Sequence, residues 1–236
     1  MYDRFYAPSG WANQTAVLEA DEARHLRQIL RKRVGDCVEL FDGLGNSATA
    51  IVRELARDEV RLDVTESRTD PPQNFPLVIA VTPPKGERLK WMVEKLVELD
   101  VDRLELLLTE RSVVDPRSEK LRTLEQTVIA ACKQCRRNRL MTISAPLAWP
   151  QWLEQQAAHN VPWYLADPQG VELPSVVREC PNRLTIAIGP EGGFSPFEVA
   201  AAVENRGLRV RLGQRILRIE TAALATAAVF GAMRNR

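Results

Sequence analysis

A glycine-rich turn separates an apolar run from a helix start in the second half of the chain. The run Leu184–Ile188 is continuously apolar, as in a buried strand, and Gly189-Pro-Glu-Gly-Gly193 follows it directly. Ser195, Pro196 and Glu198 then supply a helix N-cap, a first-turn proline and the last residue of a capping box. Three glycines in five residues permit a close approach of the main chain to a bound molecule. The pattern indicates a ligand site at the carboxyl end of a strand, or a tight turn that binds nothing.

A second strand-to-helix turn, Leu212–Ala223, carries charged residues that could act on a substrate. Gly213 opens this turn, Arg218 lies near its end, and Glu220 suits a helix N-terminus by its charge. The alternative to a role in chemistry is a structural one, in which the arginines face solvent and Glu220 or Thr221 only caps the helix. Neither turn has the glycine spacing of a dinucleotide fingerprint or the Gly-Lys-Ser/Thr ending of a P-loop, which disfavours a phosphate cradle. Two such turns in one domain predict one pocket lined by both.

A basic cluster between residues 111 and 139 indicates contact with phosphates. It stands out because the whole chain has a formal net charge of only +1. Its basic residues are Arg111, Arg117, Lys120, Arg122, Lys133, Arg136, Arg137 and Arg139, against the acidic residues Asp115, Glu119 and Glu125. A smaller basic group comprises Arg24, Arg27, Arg31, Lys32 and Arg33. A basic surface of this kind binds nucleic acid, and a solvated helix face is the alternative.

Cys132 and Cys135 have the spacing of a metal or redox pair, but their surroundings favour neither role. A structural zinc site needs two further ligands at suitable spacing, and a thioredoxin-like pair lies at a helix start rather than near a helix end. The remaining cysteines and histidines stand alone: Cys37, Cys180, His25 and His159. We therefore expect no metal site and no nucleophile–histidine pair.

The composition of the 236 residues, 45% hydrophobic and 27% charged, excludes a collagen-like or mostly disordered chain. The length predicts one or two domains that need no disulfide or metal to fold. The polar start, with Asp3 and Arg4, does not resemble a signal peptide, and no apolar run is long enough to span a membrane. We expect a cytoplasmic protein with reduced cysteines and no membrane contact.

The elements that position these turns belong to the second of two predicted domains. Residues 1–70 show short strands, turns and one helix, which is typical of a small β-barrel-like domain. The polar segment Thr65–Pro76 holds three prolines and contains the linker, which we place at 71–76. Residues 77–236 alternate buried strands with helices, which predicts an α/β domain around a mainly parallel sheet.

The individual elements follow from hydrophobic periodicity and turn residues. The predicted strands are Asp36–Phe41, Ala48–Val52, Leu77–Val81, Leu104–Leu108, Trp163–Ala166, Leu184–Ile188 and Leu208–Leu212. The predicted helices are Asp21–Arg33, Glu87–Leu99, Leu121–Gln134, Pro150–Ala158, Pro196–Asn205 and Thr221–Met233.

Several blocks, in order along almost the whole chain, resemble one family. They are Arg4-Phe5, His25-Leu26 to Gly35-Asp36, Lys95-Leu-Val-Glu-Leu99, Thr109-Glu-Arg-Ser112, Lys133-Gln-Cys135 with Arg137, Ile188-Gly-Pro-Glu-Gly-Gly193, and Leu212 to Ala222. In these blocks the chain resembles the RsmE family of SPOUT-class RNA methyltransferases, which methylate uridine N3 in small-subunit ribosomal RNA. One departure is Ile219, where the family more often has threonine, so that this side chain offers no polar contact here.

The resemblance implies a fold, a cofactor and partners. The fold is a SPOUT-type α/β domain with a parallel sheet and a C-terminal trefoil knot, preceded by a small PUA-like β-barrel domain. The cofactor is S-adenosylmethionine, the substrate is small-subunit ribosomal RNA or the assembled small subunit, and the protein is a homodimer. The implied cofactor-binding residues are Leu165, Ile188, Gly189, Pro190, Glu191, Gly192, Gly193, Leu212, Gly213, Ile216, Leu217 and Thr221. The implied RNA-binding residues are Arg4, Arg24, Arg31, Arg111, Gln134, Arg136 and Arg139.

The mechanistic hypothesis concerns three side chains. The N3–H of uracil is weakly acidic, so cations near the base favour the anion, and we assign this role to Arg218 with Arg137 as a second candidate. Glu220 is assigned to orient the base or to accept its proton. The alternatives are a methyltransferase for another RNA base or a ribose 2′-OH, and a non-catalytic RNA-binding factor of ribosome assembly.

Overall fold

Two compact units make up the structure, a computed structural model that describes residues 2–71, 76–114, 118–159, 161–179 and 183–234. The first unit comprises Met1–Pro72 together with Cys132–Leu140, and the second comprises Gln73–Ala131 together with Met141–Arg236. The segment Cys132–Leu140 therefore belongs to the first unit, although the sequence predicted it in the second domain. Arg117, Cys180 and most of the predicted linker lie outside the described residues.

The first unit is built on one six-stranded sheet. Its elements are β1 (Arg4–Tyr6), β2 (Trp11–Ala12), β3 (Thr15–Glu19), α1 (Ala20–Arg24), a π-helical turn (His25–Ile29), β4 (Cys37–Phe41), β5 (Asn46–Leu55) and β6 (Glu59–Thr69). The strand order is β1-β4-β5-β6-β3-β2, with β1 parallel to β4 and the other pairs antiparallel. Alternate residues of these strands, such as Val38, Leu40 and Leu62, point into one apolar core, as the period of two along a strand requires.

One predicted element of the first unit is shorter than expected. The helix predicted over Asp21–Arg33 is only α1 followed by the π-helical turn, and Arg31 has a left-handed φ of +52°. A π-helical turn widens the hydrogen-bonding pattern, and the left-handed residue then ends the helical path. Strand β6 also runs to Thr69, so the first part of the polar segment that begins at Thr65 is strand rather than linker.

The second unit is an α/β sandwich around a parallel sheet. Its elements are β7 (Leu77–Val81), α2 (Glu87–Glu98), β8 (Arg103–Leu108), α3 (Ser118–Cys135, which ends in the first unit), β9 (Thr142–Ile143), β10 (Leu147–Ala148), α4 (Trp149–His159), β11 (Trp163–Glu172), α5 (Leu173–Glu179), β12 (Leu184–Ile188), α6 (Pro196–Glu204), β13 (Gly207–Arg211) and α7 (Ile219–Arg234). The strand order is β10-β8-β7-β12-β11-β13, β9 pairs with β8, and every pair is parallel. The predicted parallel sheet is confirmed, whereas the trefoil knot stays a prediction.

An aromatic cluster fills the space beside the sheet of the second unit. Trp149 stacks on Trp152 with ring centroids 5.3 Å apart, and Trp163 meets Trp152 edge-on at 4.9 Å. Phe194, from the glycine-rich turn, lies 4.7 Å from the Trp149 ring. The buried Trp152 indole N–H donates to the Glu105 carboxylate at 2.6 Å, which satisfies its only polar atom. Through Phe194, the core therefore anchors the glycine-rich turn.

No helix among the described residues is both long and apolar enough to cross a bilayer. The same part of the chain contains no group of three or more histidine, cysteine or acidic side chains arranged to hold a metal ion.

Candidate active site

A cavity of about 470 Å³ lies at the carboxyl ends of β12 and β13 of the second unit and beside the middle of β11, which runs between them in the sheet. The chain leaves β12 and β13 there and forms walls of the cavity, as expected for a parallel sheet. The lining residues are Ala166–Pro168, Ile188–Phe194, Arg211–Leu217 and Ala222. The predicted pocket is therefore present, and both glycine-bearing turns line it. Its volume suits a small organic ligand.

The glycines of the first turn serve the fold in different ways. Gly193 has a left-handed φ of +69°, and its N–H donates to the Pro190 carbonyl at 2.8 Å, which closes the turn. A Cβ atom at Gly189 would lie 2.9 Å from the Phe194 ring, so the missing side chain there makes room for the aromatic core. At Gly213 of the second turn, a Cβ atom would meet nothing within 4 Å. A ligand can therefore approach the main chain closely at Gly213. At Gly189, by contrast, the packing of Phe194 accounts for the glycine.

The helix that follows the first turn begins with the predicted capping box. The Ser195 hydroxyl accepts from the Glu198 N–H at 3.3 Å, and the Glu198 carboxylate accepts from the Ser195 N–H at 2.8 Å. The other Glu198 oxygen accepts from the N–H of Glu110, in the loop after β8, at 2.8 Å. Glu198 is buried, so one carboxylate joins the start of α6 to a neighbouring loop.

Arg111, in the same loop, contacts the first turn directly. Its guanidinium donates to the Gly192 carbonyl at 2.6 Å. The sequence assigned Arg111 to RNA binding because of its charge, but the structure gives it a contact that braces a wall of the cavity. The side chain is also exposed, so a second contact with phosphate stays a prediction.

The second turn separates an exposed arginine from a buried carboxylate. Arg218 is exposed, whereas Glu220, in the first turn of α7, is only 7% exposed. Glu220 Oε1 lies 3.5 Å from Nη1 of Arg88, and Nη2 of Arg88 lies 3.4 Å from Oε1 of Glu191. Glu220 Oε2 is buried with no hydrogen-bond partner among the described residues. A buried carboxylate oxygen without a donor is costly, and neither Arg218 nor Glu220 is among the residues that line the cavity.

Two of the predicted cofactor-binding residues do not line the cavity. Leu165 is completely buried within β11, where it pairs with Ala187 and Arg209 of the neighbouring strands. Thr221 is exposed on α7 and is also absent from the cavity wall. The other predicted residues, Ile188–Gly193, Leu212, Gly213, Ile216 and Leu217, all line it.

Strand β11 contributes to the wall through residues other than the predicted Leu165. Ala166, Asp167 and Pro168 line the cavity where the register of β11 against β13 shifts, between Ala166 and Val171. Asp167 is held there by an ion pair with Arg209 at 2.8 Å. The Asp-Pro step directly after the apolar run was a visible sign that the strand changes course at this point.

The second unit corresponds to a known family. Residues 71–231 match the family model described as the RNA methyltransferase domain, which is more than half of the chain. The chain belongs to the RNA methyltransferase family. Residues 18–65 match the RNA methyltransferase PUA domain, so the first unit of this methyltransferase is PUA-like.

Individual relatives narrow the family further. The ribosomal RNA small subunit methyltransferase E of Synechocystis is 28% identical over 98% of this chain and 78% of its own. The protein of the same name from Mesomycoplasma hyopneumoniae is 30% identical over 69% of this chain and 71% of its own. The structure of methyltransferase E from Neisseria gonorrhoeae, bound to S-adenosylmethionine, is 27% identical with a TM-score of 0.86 and covers 98% of both chains. The predicted resemblance to the RsmE family and the SPOUT fold class are confirmed.

In this methyltransferase the first unit holds most of the residues predicted to bind RNA, and Arg4 is not available for that role. Its side chain is buried and donates to the Cys132 carbonyl at 3.2 Å, to the Arg137 carbonyl at 3.3 Å and to the side chain of Asn138. Burial lowers the pKa of the Arg4 guanidinium, and the carboxylate of Glu39, 3.5 Å away, opposes this shift. Arg4 therefore fastens the segment Cys132–Leu140 to the first unit instead of contacting phosphate.

The basic segment itself is partly engaged within the first unit. Lys133 pairs with Glu22 at 2.9 Å, and Arg136 pairs with Glu39. A Cβ atom at Gly45 would lie 2.5 Å from the guanidinium of Arg139, so this side chain packs against the main chain there. These acidic partners reduce the positive charge that the segment can offer to RNA. The sequence of the segment alone did not show that they lie next to it.

Four predicted RNA contacts remain on the surface of the first unit, one of which is Arg136 beside Glu39. Arg31 and Gln134 are exposed, and Arg24 forms only an exposed pair with Asp21 at 3.4 Å. Arg137, the second catalytic candidate, also belongs to the first unit and does not line the cavity. The structure brings Glu220 into contact with the cavity wall through Arg88 and Glu191, and it leaves the role of Arg137 a prediction.

Proposed function

We propose that this protein transfers the methyl group of S-adenosylmethionine to N3 of a uridine in small-subunit ribosomal RNA. The observation that carries the proposal is the cavity between the two glycine-bearing turns, with the buried Glu220 joined to its wall through Arg88 and Glu191. Family membership and the relatives named methyltransferase E support the same reaction class and substrate.

The residues of the cavity fit S-adenosylmethionine. This cofactor carries no phosphate, which agrees with turns that lack a P-loop, and the open space at Gly213 permits close contact with the main chain. Its ammonium and sulfonium groups are positive, and Asp167 and Glu191 supply carboxylates in the wall. The Neisseria gonorrhoeae relative is bound to S-adenosylmethionine. When bound, the cofactor supplies a methyl group on a positively charged sulfur, which becomes a neutral thioether once the methyl group has left.

Glu220 and Arg218 are proposed to prepare the uridine. N3 of uracil becomes a good nucleophile when its proton is removed, and Glu220 Oε2 is an acceptor without a donor of its own among the described residues. Glu220 would accept this proton, and the electron pair left on N3 would take up the methyl group as its bond to sulfur breaks. Arg218 is exposed, so its guanidinium is free to face the negative charge that develops on the uracil oxygens.

The RNA is proposed to contact the exposed residues of the first unit, Arg31 and Gln134 among them. A paired or stacked base has to leave its helix to reach the cavity, which costs a few kcal/mol that must come from such contacts.

The proposal includes a homodimer, a cytoplasmic location and a secondary role for Arg137 in stabilising the uridine anion.

Methyl transfer to ribosomal subunits tests the reaction. Small subunits that lack the modification are incubated with the protein and labelled S-adenosylmethionine, and the RNA is then digested to nucleosides. Label in 3-methyluridine supports the proposal. Label in another base or in a 2′-O-methyl nucleoside contradicts the N3 assignment, and no label together with RNA binding indicates a non-catalytic assembly factor.

The variant Glu220→Gln tests the role of the carboxylate. It keeps the size of the side chain but removes its ability to take a proton. We expect methyl transfer to fall at least about a hundredfold, while calorimetric affinity for S-adenosylmethionine changes little. Unchanged turnover in this variant removes Glu220 from the mechanism.

A further inference from the structure

Arg88 joins a wall of the cavity, at Glu191, to the buried Glu220, although the sequence patterns did not single it out. It is the second residue of α2, and one guanidinium lies 3.4 Å from Glu191 and 3.5 Å from Glu220. Glu191 belongs to the turn after β12, and Glu220 belongs to the helix that follows the turn after β13. A single side chain from a third element thus links both glycine-bearing turns.

The position of Arg88 in the first turn of α2 does not stabilise that helix, which indicates that its contacts with other elements matter more. A cation in the first turn of a helix faces the positive end of the helix dipole, which is unfavourable. The carboxylates of Glu191 and Glu220 compensate for this arrangement, and Glu220 in turn occupies the favourable end of α7. The apolar side of α2, including Leu89 and Met92, is fully buried, so the start of the helix is held firmly in place.

The two oxygens of Glu220 have different surroundings because of Arg88. Oε1 forms the ion pair, whereas Oε2 is buried with no hydrogen-bond partner in the described part of the chain. The side chain of Glu220 is only 9% exposed, so hydrogen bonds to water contribute little to its orientation. An arginine, with a planar fork of several N–H donors, can hold two carboxylates at once, which the single ammonium of a lysine does less well.

We propose that Arg88 is a positioning residue for methyl transfer. It occupies Oε1 of Glu220, leaves Oε2 to accept the proton of the substrate, and couples this orientation to the glycine-rich turn through Glu191. This inference rests on the proposed function, since it assigns Arg88 to the carboxylate that acts there. Ion-pair distances near 3.5 Å are long for a catalytic network, and such contacts commonly tighten when substrate binds.

Steady-state kinetics test the role with three variants. In Arg88→Ala we expect kcat to fall at least about tenfold while KM for the small subunit changes less than about threefold, because the lost contact orients a reacting group. Arg88→Lys keeps the charge and should recover part of kcat. The matched control is Lys90→Ala, which removes an exposed cation from the same helix and should stay within about twofold of the wild type. A wild-type kcat in Arg88→Ala overturns the proposal.

Thermal unfolding of the ligand-free protein provides a test that needs neither RNA nor cofactor. Arg88→Ala should lower Tm in the wild-type background, because it leaves the buried Glu220 without its cation. In the Glu220→Gln background the same change should lower Tm by less than half as much, since the charge is already gone. Equal shifts in the two backgrounds overturn the pairing. If Arg88→Ala does not fold, Arg88→Lys replaces it, and a wild-type kcat in that variant overturns the bridging role.

The outcomes separate this inference from the proposed function. No methyl transfer by the wild-type protein overturns the proposed function and the positioning role with it. Methyl transfer by the wild type together with additive thermal shifts overturns only the assignment of Arg88.

Discussion

Replacing Glu198 by glutamine should destabilise the second unit although the two side chains have nearly the same shape. The Glu198 carboxylate accepts from two backbone N–H groups, those of Ser195 and Glu110, both at 2.8 Å. A carboxamide has only one accepting oxygen, and its NH₂ group is itself a donor. One of the two N–H groups therefore loses its partner in Glu198→Gln.

The size of the effect follows from the number and kind of bonds removed. A hydrogen bond to a charged group contributes about 1.5–3 kcal/mol, so Glu198→Gln should lower the free energy of unfolding by about 2 kcal/mol. For a protein of this size, that change corresponds to a decrease in Tm of about 4–8 °C. Glu198→Ala removes both bonds and should cost about 4 kcal/mol. Ser195→Ala removes only the 3.3 Å bond from the Glu198 N–H and should cost about 1 kcal/mol.

Urea unfolding followed by tryptophan fluorescence measures these differences. The Trp149 indole donates to the Glu198 carbonyl at 3.3 Å and its ring lies 4.7 Å from Phe194, so its emission reports on this corner of the fold. The expected order of destabilisation is Glu198→Ala, then Glu198→Gln, then Ser195→Ala. A Glu198→Gln variant within about 0.5 kcal/mol of the wild type, or a larger loss in Ser195→Ala, would refute the reasoning.

Three further predictions concern other parts of the structure. Gly193→Ala should cost about 1–2 kcal/mol of stability and weaken calorimetric binding of S-adenosylmethionine, because φ is +69° while space for a Cβ is free; an unchanged Kd and Tm contradict this. Arg4→Met should cost about 3 kcal/mol or more in urea unfolding, since the carbonyl groups of Cys132 and Arg137 lose their donor, and the exposed Arg24→Ala should cost at most about 1 kcal/mol; equal losses contradict the structural role of Arg4. Arg136→Ala should weaken RNA binding and reduce the magnitude of the salt slope by about 1, and an unaltered slope argues against a phosphate contact.

The glycine-rich turn could be predicted from the sequence because its signals are local. An apolar strand, a run of glycines and a capping box follow one another between Leu184 and Glu198, and each is recognised within a few residues. Because such signals are local, the predicted bounds of β7 and β12 agree with the structure, and so does the capping box. A common pocket for the two turns followed from the rule for parallel sheets.

The errors arise where burial or distant pairing decides the role of a residue. Arg4 carries a charge and stands near a family motif, but only the fold shows that its side chain is enclosed and has carbonyl acceptors. Leu165 lies on the correct strand, yet the register shift just beyond it turns Ala166–Pro168 to the cavity instead. Arg88 and Glu191 are 103 residues apart, and no local pattern connects them. Sequence patterns therefore located the turns and missed the side chains that hold them.

The division of the chain between the two units constrains the order in which the protein can be made. Arg4 needs carbonyl groups from residues 132 and 137, which leave the ribosome long after the strands of the first unit. During synthesis, that unit lacks the segment Cys132–Leu140, and the carbonyl acceptors of Arg4 with it, until more than half of the polypeptide has emerged. A fragment that stops at residue 72 would lack these acceptors, so the PUA-like unit is completed only by residues from the later part of the chain.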